Sequence, residues 1–313
     1  MPISFTDAAP AASAPGQWMR EELFSQPDVW ERAIGQARAE RLLPAAGKRV
    51  AVVGCGTSWF MAQSYAAARE EAGLGETDAF AASEASAVTR RGYDAVVAIT
   101  RSGTTTEVLS LLAELDNAVP TTVLLGDLDS PAAQLAGSVV ALPYADESSV
   151  VQTRFATAAL AYLLTSLGTD LAPAVEDARA VLAEPVPEEL LDAEQFSFLG
   201  RGWTVGLAHE AALKMREAVQ GWTESYPAME YRHGPIAIAA PGRVTWLLGE
   251  EPEGLRCDVG QAGARFEHST RHPLAELVRI HKLTLERAVG RGLDPDRPRS
   301  LTRSVILEGQ PGT

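Results

Sequence analysis

Asp94-Ala-Val-Val-Ala-Ile-Thr-Arg-Ser-Gly-Thr-Thr-Thr-Glu-Val-Leu109 is the stretch whose reading decides the fold. The apolar run 95–99 has the length and β-branched content of a buried strand. It stops at Thr100-Arg101-Ser102-Gly103-Thr104-Thr105-Thr106, and a helical pattern follows from Glu107. Strand, hydroxyl-rich turn and helix start bring backbone N–H groups, a helix dipole and several hydroxyls into one small volume. Those are the elements of a phosphate cradle. Arg101 adds a fixed positive charge with fork geometry. An ordinary capped helix accounts for one or two such hydroxyls, since Ser and Thr are favoured N-caps. The density of hydroxyls here exceeds what a cap needs.

Upstream, residues 49–53 read as a second strand running into Gly54-Cys55-Gly56-Thr57-Ser58, with a helical pattern over 62–73. A G-x-G after a strand is shared by many nucleotide-binding folds, and the third glycine of the dinucleotide fingerprint is absent, because that position is Phe60. Thr57 and Ser58 point instead to hydroxyl contacts with a single phosphate. Cys55 reads as a small thiol in a tight turn.

At 313 residues, with 46% hydrophobic and 22% charged residues, the chain has the composition of a globular protein large enough for two cores. No apolar run approaches a membrane span, and the N-terminus has no signal-peptide pattern, so the expectation is a cytoplasmic protein. Two cysteines exclude a disulfide scaffold, and the histidines form no metal-spaced cluster, so neither a metal nor another cofactor is expected. A net charge of −14 argues against nonspecific binding to nucleic acid or anionic membrane. An anionic ligand must then be held by local donors. Distant charges do not prevent this, because they are screened within about 10 Å at 0.1 M salt.

The expected organisation is a disordered tail (1–17), a helical entry segment (18–47) interrupted at Gln26-Pro27, a first α/β domain (48–170), a linker (171–192) and a second domain (193–313). Strands are expected near 49–53, 79–81, 95–100, 121–125 and 139–142, alternating with helices. That alternation implies βαβ units and doubly wound parallel sheets with helices on both faces. The second half repeats the first. Phe196-Ser-Phe-Leu199 enters Gly200-Arg201-Gly202 as Val52-Val53 enters Gly54-Cys55-Gly56, and each copy has a glutamate thirty residues after its first glycine, Glu84 and Glu230. Strand 244–248 matches 95–99, but the two strands run into different turns. The second copy has Gly249-Glu-Glu-Pro-Glu-Gly254 in place of the hydroxyl-rich turn. Acidic residues there repel phosphate, so the anion cradle is expected in the first copy alone.

Glu210, Lys214 and Glu217 are spaced i, i+4, i+7 and share one helix face, opposite an apolar face of Ala208, Ala211, Ala212, Met215 and Val219. On residues alone this is either a solvated Glu–Lys face or an acid–base group.

Gly54-Cys-Gly-Thr-Ser58, Ala82-Ser-Glu84, Thr100-Arg-Ser-Gly-Thr-Thr-Thr-Glu107 and Glu147-Ser-Ser-Val-Val-Gln-Thr153 resemble the SIS (sugar isomerase) domain family. So do Leu199-Gly-Arg-Gly202, Glu210-Ala-Ala-Leu-Lys-Met-Arg-Glu217 and Tyr231-Arg-His-Gly-Pro235. The pattern is similar to the isomerase half of glucosamine-6-phosphate synthase and to free-standing aminosugar-phosphate deaminases and isomerases. The resemblance implies two tandem flavodoxin-like SIS domains. It places Gly56, Thr57, Ser58, Thr100, Arg101, Ser102, Gly103 and Thr105 at the sugar phosphate, and Gln152, Thr153, Glu210 and Arg303 around the sugar. It also implies that Glu217 moves a proton between C1 and C2, that Lys214 steadies the developing charge, and that His233 opens the sugar ring from the neighbouring subunit of a homodimer.

Two departures narrow the activity. The chain carries no glutaminase region ahead of the entry segment, so isomerisation without glutamine amidotransfer is the expectation. Arg303 stands where the synthase has its Schiff-base lysine, and an arginine forms no imine. The expected activity is thus a phosphosugar isomerase or aminosugar-phosphate deaminase/isomerase acting on a sugar 6-phosphate. Alternatives are a fructosamine 6-phosphate deglycase and a non-catalytic sugar-phosphate sensor.

Overall fold

The computed structural model describes residues 14–116 and 118–307. Residues 1–13 of the expected tail lie outside them. Gly16 and Gln17 at its end are held, for Gly16 N–H donates to Asp294 Oδ1 (3.1 Å) and Gln17 opens the first helix.

Two parallel sheets organise the chain. The first contains β1 (Val50–Gly54), β2 (Thr77–Ala81), β3 (Ala95–Thr100), β4 (Thr121–Leu125) and β5 (Ser138–Ala141) in the order β2-β1-β3-β4-β5. The second contains β6 (Gln195–Gly200), β7 (Thr223–Pro227), β8 (Arg243–Leu248) and β9 (Arg265–Glu267) in the order β7-β6-β8-β9. Every pairing is parallel. Strands β1, β3 and β4 are apolar, largely β-branched and buried throughout, the pattern of inner strands covered on both faces. Edge strands β7 and β9 lack that signal. One alternates polar residues and ends in proline, the other has three residues, and the sequence reading missed both.

The helices are α1 (Gln17–Phe24), α2 (Gln26–Ala39), α3 (Thr57–Glu71), α4 (Thr106–Leu115), α5 (Pro131–Leu135), α6 (Arg154–Ser166), α7 (Ala172–Ala183), α8 (Glu188–Leu191), α9 (Thr204–Val219), α10 (Leu255–Gln261) and α11 (Pro273–Gly290). Helix α3 begins five residues before its apolar pattern does, so Thr57 and Ser58 occupy its first turn. Successive strand residues point to opposite faces. Val50 and Val52 join a core cluster containing α1, α2, α3, α6, α7, α9 and α11, whereas Ala51 and Val53 join another beneath α4 and α5. The larger cluster also takes Phe196, Phe198, Trp246 and Leu248 from the second sheet. One helical layer therefore lies between the two sheets and is buried by both. Helix α6 fits this setting, being apolar almost all round.

Helices α3 and α9 touch directly in that layer. Gly206 makes this possible, since a Cβ there would stand 2.3 Å from Phe60 O and 2.3 Å from Ser64 Oγ. The contact carries the Glu210–Lys214–Glu217 face of α9 to the first turn of α3. Each sheet also carries a matching feature beyond its second strand. Glu84 lies in the short 3₁₀ segment after β2, and Glu230 in the one after β7.

Candidate active site

In an open parallel sheet, ligands bind at the carboxyl ends of the strands where the strand order reverses. In the first sheet that point lies between β1 and β3, and a cleft of about 190 Å³ opens there. Its walls include Gly56, Thr57 and Ser58 after β1, Thr100, Arg101, Ser102 and Thr105 after β3, Gln152, and Lys214 with Glu217 from α9. The N-termini of α3 and α4 both face it, adding their partial positive charge. Gly54 is required beneath: a Cβ there would stand 2.6 Å from the Ser58 carbonyl carbon.

Within the cradle, Thr100 Oγ1 accepts from Gly103 N–H (3.2 Å), and Ser102 Oγ accepts from Thr104 N–H (3.3 Å). Gly103 shapes the turn with φ +61° but does not line the cleft. Arg101 does not present a free fork. Its Nη1 donates to Ser149 O (2.9 Å) and its Nη2 to Val150 O (3.4 Å) and Arg303 O (3.1 Å), with the Glu147 carboxylate 3.8 Å away. Burial lowers the pKa of this guanidinium. Arg101 thus ties the 147–150 loop and the C-terminal segment to the cradle.

Thr153 is likewise committed elsewhere. Its N–H (2.7 Å) and hydroxyl (3.0 Å) donate to Glu147 Oε1, which also takes Arg154 N–H (2.7 Å), while Oε2 takes Phe155 N–H (3.0 Å). Glu147 caps the start of α6, and Thr153 is fully buried behind the cleft. Sequence reasoning gave Glu147 no such role. A buried carboxylate capping a helix from six residues upstream leaves no spacing signal. Glu22 of α1 supports the same loop, accepting from Ser149 N–H (3.1 Å). Burial and the neighbouring Glu147 raise the Glu22 carboxyl to about 7, against the serine hydrogen bonds.

Arg303 Nη2 donates to both carboxylate oxygens of Asp146 (2.6 and 2.8 Å), and its Nη1 donates to Glu147 O. Beyond it, Thr105 and Ser304 hydroxyls meet at 3.3 Å, and Thr106 N–H donates to Val305 O (3.2 Å). The 301–305 segment therefore closes one side of the cleft.

The helix face read as either solvated or chemical is not solvated. Glu210 and Lys214 are 0% and 1% exposed, and only Glu217, with its side chain 19% exposed, reaches the cleft mouth. Lys214 Nζ donates to Glu217 Oε2 and lies 3.7 Å from Glu210 Oε1. Burial lowers the Lys214 pKa, and the Glu210 and Glu217 carboxylates, when ionised, outweigh it and raise the pKa above its usual value. Glu210 lies behind Lys214 and does not line the cleft. His233 sits between two 3₁₀ segments, exposed and outside the cleft of its own chain. Among the described residues no group of three or more His, Cys, Asp or Glu could hold a metal ion, and no helix is long and apolar enough to cross a membrane.

No protein-family model matches the chain. It is 26% identical over 324 residues to the isomerizing glutamine–fructose-6-phosphate aminotransferase of Sulfurisphaera tokodaii, which covers 92% of this chain and 54% of the relative. The chain thus spans about half the length of such relatives. Among solved structures, a glucosamine-6-phosphate deaminase from Thermotoga maritima superposes with a TM-score of 0.78 at 22% identity, covering 93% of this chain and all of that one. The resemblance to the SIS family holds. A tagatose-6-phosphate ketose/aldose isomerase from Escherichia coli shares the fold as well, with a TM-score of 0.77 at 18% identity over 96% of this chain and 99% of that one.

Proposed function

We propose that this SIS-type chain consists of two tandem SIS domains and is an isomerase or deaminase/isomerase of a sugar 6-phosphate, the amino group, where present, standing on C1 or C2. One observation carries the reading. The Glu217–Lys214 pair lines the same small cleft as Ser58, Ser102 and Thr105, so one ligand-sized space offers both hydroxyls for a phosphate and a proton-transfer group. The phosphate takes hydroxyl and helix N-terminal contacts in the cradle. The sugar then extends toward α9. The Glu217 carboxylate removes the proton from one of C1 and C2, leaving the anion of an enediol or enolamine, and returns it to the other carbon after a proton has passed between the two substituent heteroatoms. The Lys214 ammonium steadies the negative charge that develops on the substrate oxygen.

Lys214 is the only lysine lining the cleft, because Lys282 Nζ donates to Leu182 O (2.9 Å) in the core and Lys48 pairs with Asp94 (3.8 Å) at the opposite ends of the strands. With Arg303 in the closing segment, no Schiff base takes part. Ring opening falls to His233 of a second copy in a homodimer, since in its own chain this residue stands outside the cleft.

The test is a screen of hexose and hexosamine 6-phosphates, reading ketose formation and ammonia release in parallel, with Glu217→Gln beside the wild type. The variant keeps the shape and removes the base, so turnover falls on the order of 10²-fold or more while sugar-phosphate binding persists. Wild-type turnover in Glu217→Gln sinks the assignment of the base.

A further inference from the structure

We propose that His281 of α11 is a positioning residue for the Glu217–Lys214 pair, acting through Glu210, which it keeps as an uncharged carboxylic acid. The inference rests on the catalytic reading above and deepens it. Glu210 and His281 are both 0% exposed, and His281 Nε2 lies 3.7 Å from Glu210 Oε1. Lys214 Nζ stands 3.7 Å from the same oxygen. Neither ring nitrogen of His281 has a hydrogen-bond partner among the described residues, and the Thr57 hydroxyl is the donor that faces the Glu210 carboxyl beside Lys214. Buried polar atoms left without partners are costly unless they serve one another. A small rotation of either side chain makes an O–H···Nε2 bond.

Charge balance places the proton. One ammonium between two ionised carboxylates would leave a buried net charge of −1, and an uncompensated buried charge is strongly unfavourable. One added proton neutralises the group, either on Glu210 or on His281. The groups facing Glu210 are Lys214 and Glu217 from its own helix, His281 from α11, Glu147 from the loop before α6 and the Thr57 hydroxyl from α3. Burial raises Glu210 to about 8, with Lys214 and the Thr57 hydroxyl opposing and Glu217 and Glu147 assisting. Burial and the Lys214 charge push His281 down to about 3, against Glu147. Between those limits the proton resides on Glu210 and the imidazole is neutral. Lys214 then has a single charged partner, Glu217, and stays aimed at the cleft. Above about 8, Glu210 ionises and competes for the ammonium from behind, so turnover falls on the alkaline side.

Infrared difference spectra of the intact protein against Glu210→Gln read the buried acid without any substrate. The expected result is a carboxylic-acid carbonyl band in the wild type at pH 6.5, absent from the variant, that fades as pH rises through about 8. His281→Gln offers an amide N–H to the ionised form. It moves that fading, and the alkaline limb of the turnover profile with it, to lower pH by on the order of one unit. No such band in the wild type, or a band whose titration is unmoved in folded His281→Gln, overturns the proposal. If the band and its shift are found but no sugar phosphate is turned over, the catalytic reading fails and the positioning role falls with it, while the buried acid stands.

Discussion

The two sheets present the same turn at the same place and finish it differently. Gly54 ends β1 four residues before Ser58, and Gly200 ends β6 four residues before Thr204. Both glycines are enforced by the following helix, since a Cβ at Gly200 would stand 2.2 Å from Thr204 O, as one at Gly54 would crowd Ser58. In the first turn the Ser58 hydroxyl faces an open cleft. In the second, Thr204 Oγ1 donates to Leu248 O (2.7 Å) and accepts from Arg201 N–H (2.8 Å), so its hydroxyl plugs the position between β6 and β8. One strand–turn–helix design thus yields a binding site or a structural joint, depending on whether a hydroxyl on the helix's first turn is left unspent.

The largest effect expected from this contrast comes from adding the second turn's acidity to the first. Ser102→Asp puts a carboxylate in the cradle, and like-charge contact costs several kcal/mol. Affinity for a sugar 6-phosphate, measured calorimetrically, should fall on the order of 10²-fold or more with the fold intact. Unchanged affinity would move the phosphate elsewhere. Next comes Ser58→Ala. A hydrogen bond to a charged group is worth about 1.5–3 kcal/mol, roughly a 10- to 150-fold loss of affinity, with little change in melting temperature. The mirror substitution, Thr204→Val, should do the reverse. It removes the buried hydrogen bond to the Leu248 carbonyl and costs about 1–3 kcal/mol of stability in denaturant unfolding, while ligand affinity stays put. If Thr204→Val weakens binding and spares stability, the two turns are not the alternatives described here.

How much of this was legible depended on whether a signal was local. The strand runs 95–100 and 121–125 were readable to the residue, because inner parallel strands are continuous apolar segments. The two matching turns were readable from Gly54 and Gly200, since a turn that excludes a Cβ fixes its residue. Ser58, Thr100, Ser102 and Thr105 were readable as one cluster of hydroxyls, and all four line the cleft. The contacts of Arg101 and Thr153 were not legible, for one reason. A sequence shows that a donor exists, not what engages it, and here loop carbonyls engage the Arg101 Nη atoms and the Glu147 carboxylate engages the Thr153 hydroxyl. Burial of Glu210, Lys214 and His281 was equally invisible. It arises because α9 is packed against α3 and α11 at once, a long-range contact with no periodicity of its own.

The smallest effect concerns the acidic rim of the second turn, and it separates two explanations for that turn's lack of a cleft. Charge is one, because Glu250 follows β8 where Arg101-Ser102 follow β3, and it pairs with Arg201 at 3.1 Å. Occupancy by the Thr204 hydroxyl is the other. The Arg201 and Glu250 side chains are 49% and 77% exposed, so the pair contributes only about 0–1 kcal/mol. Glu250→Gln should therefore shift unfolding by less than about 1 kcal/mol. It should also free the Arg201 guanidinium beside a helix N-terminus, weakening the electrostatic objection to an anion while Glu251 stays paired with Arg256. If occupancy governs, inorganic phosphate still fails to bind at Gly200 in Glu250→Gln, as followed by phosphorus NMR on a background of Ser102→Asp, which silences the first cradle. Phosphate bound in that double variant would mean that charge alone distinguishes the turns, and that Thr204 yields its hydrogen bonds to a ligand once the acid is gone.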